Sequence, residues 1–63
     1  MTREELITAA SKAGAKAALK GMFRVSPYYE EKATLDGKRT DITSILDKGW
    51  YEGYDDCTER VNA

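Results

Sequence analysis

From Arg3 to Gly21, small and apolar residues return every third or fourth position. Leu6, Ile7, Ala10, Ala13, Gly14, Ala17 and Gly21 fall on one arc at helical spacing, with charged residues between them. This spacing predicts a first helix over residues 3–21. Thr2 and Glu5 open it as a capping box, and Gly21 offers a stop. A second periodic stretch puts Ile42, Ile45, Leu46, Gly49, Trp50, Gly53, Cys57 and Val61 on one broad face. It predicts a helix over residues 42–60, capped by Asp41 or Thr43. Between the two, Met22 to Val25 reads as a short apolar link. Ser26-Pro27 reads as a helix start, with one or two turns across Tyr28 to Ala33. Asp36-Gly37 marks a tight turn. Such a turn suits either a small hairpin or a loop, and the weakly apolar flanks favour an irregular loop containing the turn.

Both helices carry a seam of small residues: Ala10, Gly14, Ala17 and Gly21 on the first, and Gly49, Gly53 and Cys57 beside Trp50 on the second. Small residues four apart let helix backbones approach closely. A glycine inside a helix costs about 1 kcal/mol relative to alanine, which close packing would offset. Leu46 and Trp50 are expected to lie over Gly14 and Ala17. The expected fold is all-α: a single domain over residues 1–63, built as a two-helix antiparallel hairpin with a short helical turn and an irregular loop between the helices.

Length sharpens this picture. A chain of 63 residues buries only about 60% of its unfolded surface. One cysteine allows no internal disulfide, and the absence of histidine removes the common zinc ligand sets. Stability must then come from close helix packing, self-association or a partner. No apolar run approaches the roughly 18 residues of a membrane span, and Arg3, Glu4 and Glu5 interrupt any signal-like segment. The expected compartment is cytoplasmic, with no membrane contact.

The net charge of −1 is unevenly spread. Residues 1–25 hold Arg3, Lys12, Lys16, Lys20 and Arg24 against Glu4 and Glu5. Residues 41–63 hold Lys48 and Arg60 against Asp41, Asp47, Glu52, Asp55, Asp56 and Glu59. Lys12, Lys16 and Lys20 share one helical face, away from the seam. They are candidate contacts to a protein or RNA partner, together with Arg24, Tyr28, Tyr29 and Tyr51. Of the aromatics, Trp50 belongs to the core, and Tyr51 is the best candidate for an exposed contact. The carboxylates of the last helix do not have the spacing of a calcium loop. No nucleophile–base pair or phosphate loop is present, and Cys57 reads as a structural thiol. No metal, cofactor or enzymatic activity is expected.

The order of these pieces resembles the ribosome modulation factor family and its small phage and plasmid relatives. The matching residues are Gly14, Ala17, Ala18 and Gly21, then Pro27-Tyr28, then Gly49-Trp50 with Gly53, across roughly residues 10–60. The resemblance implies a non-enzymatic helical hairpin that docks on a bacterial macromolecule. In the founding member that macromolecule is the small ribosomal subunit. The present chain is slightly acidic where that family is strongly basic, and its segment from Tyr29 to Asp41 is longer. These departures favour a bacterial host protein as target.

The favoured expectation is therefore a small phage- or bacterium-encoded regulator that docks on, and inhibits or regulates, a host macromolecule, a protein before a nucleic acid. The alternative is a ribosome- or rRNA-associated translation modulator. Weak nucleic-acid binding and a homodimer complete the expected partners.

Overall fold

Thr2 opens the first helix as the sequence pattern requires. Its hydroxyl accepts the Glu5 N–H at 3.1 Å and donates to the Glu5 carboxylate at 3.2 Å, so the capping box closes through the side chains. The computed structural model describes residues 2–62, with side chains through residue 60. Val61, expected on the inner face of the last helix, lies outside the described side chains. Four elements follow in order: α1 (Arg3–Leu19), β1 (Lys32–Leu35), β2 (Lys38–Asp41) and α2 (Thr43–Asn62).

Helix α1 stops two residues short of Gly21, and Gly21 serves as its terminator rather than as part of the seam. Gly21 has φ 71°, the left-handed region that only glycine enters without strain. Its N–H donates to Ala18 O at 3.1 Å, and the Met22 N–H donates to Ala17 O at 3.0 Å. This paired arrangement satisfies the last carbonyls of the helix.

No helical turn follows Pro27. Residues 22–31 run without regular secondary structure, and the segment expected to be an irregular loop is a β-hairpin. β1 and β2 pair antiparallel, with Leu35 opposite Lys38 and Lys32 opposite Asp41. Asp36 (φ 51°) and Gly37 (φ 79°) form the two-residue turn, and positive φ at both positions matches the twist of the strands. Leu35 is buried and Ala33 half-buried, whereas Lys32 and Thr34 face outward. One face of the hairpin thus closes one end of the core. The fold is mostly helical with a small two-stranded sheet, rather than purely all-α.

The two helices run parallel, not antiparallel. Gly49 sits against Ile7 and Ala10, and Gly53 against the backbone of Ser11. Positions therefore rise together along both helices. The seams meet as their composition requires. A Cβ placed on Gly49 would lie 2.8 Å from the Ile7 carbonyl oxygen, and a Cβ on Gly14 or Gly53 would overlap the Trp50 or Ser11 carbonyl outright. Ala10, Gly14, Ala17, Gly49, Trp50 and Gly53 are all buried, and Cys57 is half-buried. Leu6, Leu35, Ile42 and Leu46 complete the core.

Parallel packing requires the chain to travel back along the helices before α2 begins. The 17 residues of α1 span about 25 Å, and the roughly ten residues of the return segment, 22–31, reach up to about 33 Å when extended. The return segment follows α2 in the opposite direction: Met22 lies by Tyr54, Ser26 by Tyr51 and Asp47, and Glu31 by Thr43. At its end the Glu31 N–H donates to Thr43 Oγ1 at 2.8 Å, and the Ile42 N–H donates to Glu31 O at 2.9 Å. Asp41 caps α2 by accepting the Thr43 N–H at 2.9 Å. That bond holds the Asp41 carboxyl below its ordinary range, with a Thr43 side-chain hydrogen bond adding to the effect.

Candidate functional site

Side chains of α2 fasten the return segment, and this decides which of the expected contact residues remain available. Tyr54 Oη donates to Met22 O. The Ser26 N–H donates to Tyr51 Oη at 3.2 Å, and the Ser26 hydroxyl bonds the Asp47 carboxylate. Arg24 forms a two-pronged pair with Asp55, Nε to Oδ1 at 2.7 Å and Nη2 to Oδ2 at 2.9 Å. The same guanidinium lies 4.5 Å from the centroid of the Tyr51 ring. Its hydrogen bond to Asp55 holds the Asp55 carboxyl below the ordinary carboxylate range.

Tyr51 is therefore not the exposed aromatic that its helical position suggested. It is half-buried, covered by Arg24, and packs edge-on against Trp50 with centroids 5.3 Å apart. Tyr54 stacks on Trp50 at 5.2 Å. Tyr28 is also half-buried. Burial pushes its hydroxyl pKa upward, and the nearby charges of Glu31 and Asp47 add to the shift. Tyr29 is exposed, as is Phe23 at 88%.

The lysine row behaves differently from Arg24. Lys12, Lys16 and Lys20 are exposed, and among the described residues the ion pairs are Arg24 with Asp55 and Arg60 with Asp56. The basic face of α1 therefore ends at Lys20, while the next cation is engaged internally. Glu52, Asp56 and Glu59 are exposed on the side of α2 turned away from Trp50 at helical spacing.

Beside the lysine row lies an apolar groove of about 270 Å³. Ala13 and Ala17 form its α1 wall, and Met22, Val25 and Pro27 form the wall of the return segment. Trp50 is the floor, and Lys16 and Lys20 stand at the rim. The structure thus brings together Lys16, Ala17, Lys20 and Trp50 from the expected residues, and sets Arg24, Tyr28 and Tyr51 into the fabric of the fold. Ala13, Met22, Val25 and Pro27, read from the sequence only as structural positions, were not among the expected contact residues. For Met22 and Val25 the signal was their apolar link, which a purely structural connector would have buried. Met22, Phe23 and Val25 remain exposed instead.

Among the described residues no cluster of His, Cys, Asp or Glu could hold a metal ion, and no helix is long and apolar enough to cross a membrane. Cys57 is a half-buried free thiol. No protein-family model matches the chain, and no curated protein or solved structure matches it either.

Proposed function

We propose that this chain is a small non-catalytic regulatory protein that docks on a protein partner through the α1 surface bearing Lys12, Lys16 and Lys20. The observation that carries this reading is the contrast between those lysines and Arg24. Arg24 is matched to Asp55 within the fold, whereas the lysines have no acidic neighbour at ion-pair distance among the described residues, and Lys16 and Lys20 flank the exposed apolar Met22 and Val25. A surface that mixes cations with apolar walls suits a protein. Three cations alone would hold nucleic acid only weakly and with steep salt dependence. The resemblance to ribosome modulation factors is compatible with a phage or bacterial regulator of this kind.

The test is affinity capture from bacterial lysate with and without nuclease, using the parent chain and a Lys12→Glu/Lys16→Glu/Lys20→Glu variant. The expected result is one stoichiometric protein that survives nuclease and is lost with the variant. Ribosomal particles that co-sediment at low salt and dissociate steeply with added salt would favour the second reading, a translation modulator, which the same lysine row supports.

A further inference from the structure

The groove between α1 and the return segment has two properties that together describe what would fill it. The first concerns backbone donors along its outer wall. The Met22 N–H is taken by Ala17 O and the Val25 N–H by Phe23 O. The Ser26 N–H is taken by Tyr51 Oη, the Tyr28 N–H by Ser26 Oγ, and Pro27 has none. With these donors engaged, an added strand would find no continuous hydrogen-bonding ladder here. An occupant must bring a backbone that is already satisfied, as an α-helix does. The second property is charge. The walls and floor are apolar, while Lys16 and Lys20 stand on the α1 rim.

Building on the protein-docking reading above, we propose that this groove receives an amphipathic α-helix of a partner protein, apolar on the face that enters and acidic on the flank that passes Lys16 and Lys20. Such a helix would lie over Trp50 opposite α2 and complete a three-helix cross-section.

A second copy of the chain fits less well. Two grooves facing each other across a two-fold axis would set Lys16 and Lys20 against their own counterparts. Placing the acidic side of α2 in a neighbour's groove would match charge, but Glu52, Asp56 and Glu59 lie on the side away from Trp50. That contact would be head-to-tail and would tend toward open chains instead of a closed pair. RNA is disfavoured because no ring within the groove offers a free face for stacking: Trp50 is 3% exposed.

Trp50 is the only tryptophan and reports directly on the groove. The probe is a 16-residue helical peptide with leucines at i, i+3, i+4 and i+7 and glutamates on both flanks, titrated against the intact chain by Trp50 fluorescence. Its controls are the same peptide with lysine for glutamate and a 12-nucleotide single-stranded RNA. A saturable change in Trp50 emission is expected with the acidic peptide alone. Lys16→Glu/Lys20→Glu should weaken binding about tenfold, and Val25→Asp should abolish it, with helical circular dichroism unchanged in both variants. The inference is overturned if the acidic peptide gives no saturable change, if the lysine peptide binds equally well, if RNA binds more tightly, or if sedimentation shows a dimer that occludes the groove. The two readings separate in the lysate. A protein captured equally by the parent and by Val25→Asp leaves protein docking standing and removes the groove. Peptide binding without any captured protein leaves the groove standing and removes the wider reading.

Discussion

Arg24 and Asp55 lie 31 positions apart in sequence, yet they meet through two hydrogen bonds of 2.7 and 2.9 Å. The pair pins the return segment to α2 near the point where α1 has just ended. With Ser26 bonded to Tyr51 and Asp47 further along, it commits the chain to travel back before α2 begins. The parallel order of the helices follows from that commitment.

Acid should weaken this arrangement in a defined window. The folded-state pKa values of Asp55 and Asp41 are both lowered from the ordinary 3.8 by hydrogen bonds, from Arg24 and Thr43 respectively. A lowered carboxyl pKa stabilises the fold fully above its unfolded value, and that contribution is lost as pH falls through the folded value. Urea midpoints should hold steady from neutrality to about pH 5 and decline below it. Asp55→Asn should be less stable at pH 7 and show a shallower acid decline. An unchanged acid slope in that variant would contradict the role assigned to the pair.

The seam predicts an ordering among glycine-to-alanine changes. Alanine gains about 1 kcal/mol of helix propensity over glycine, so a loose seam would make all three variants more stable. A Cβ at Gly14 or Gly53 meets backbone carbonyls that cannot yield, and at Gly49 the approach is less severe. Gly14→Ala and Gly53→Ala should destabilise by about 1–3 kcal/mol, and Gly49→Ala by less. Chemical denaturation of the three variants checks the order.

Leu35 is the buried side chain of the hairpin, so Leu35→Ala tests whether the sheet belongs to the core. The expected loss is about 2–3 kcal/mol, toward the lower part of the range for buried leucines because the site lies at one end of the molecule. Loss of the hairpin amide resonances with α1 retained would show that the sheet folds as an appendage.

Glu30 holds φ 49° where the return segment turns into the hairpin. A Cβ in that region crowds the following carbonyl oxygen and costs roughly 1–2 kcal/mol, which asparagine offsets in part through local hydrogen bonding. Glu30→Asn should raise the melting midpoint and Glu30→Val should lower it. Thermal denaturation of both variants measures the difference.

Much of the helical content was legible in the sequence, because caps and glycine stops act locally. Thr2 with Glu5, the seam residues and the burial of Trp50 could all be found from spacing. Helix direction could not. A row of small residues four apart reads the same in either sense, and the choice rests on contacts such as Ser26 to Asp47 that join distant positions. The hairpin was half legible: Asp36-Gly37 announced its turn, but the strands carry Lys32, Thr34, Lys38 and Arg39, so their alternation is weak. Gly21 fell on the seam by periodicity, although its positive φ makes it the stop. Tyr51 occupied a position that faces water on an isolated helix, and Arg24 covers it from a segment that no helical pattern describes. The groove shares that origin, since one of its walls is the return segment.

The parallel seam also governs when the molecule can assemble. Ser11 meets Gly53, and Ile7 meets Gly49, so nearly everything α1 packs against belongs to an element synthesised well after it. A helix in a protein draws most of its stability from packing one face against its neighbours, so the nascent chain has little to hold α1 until α2 is in place. A chain cut before α2 is expected to be protease-sensitive, because α1 then lacks the surface it packs against.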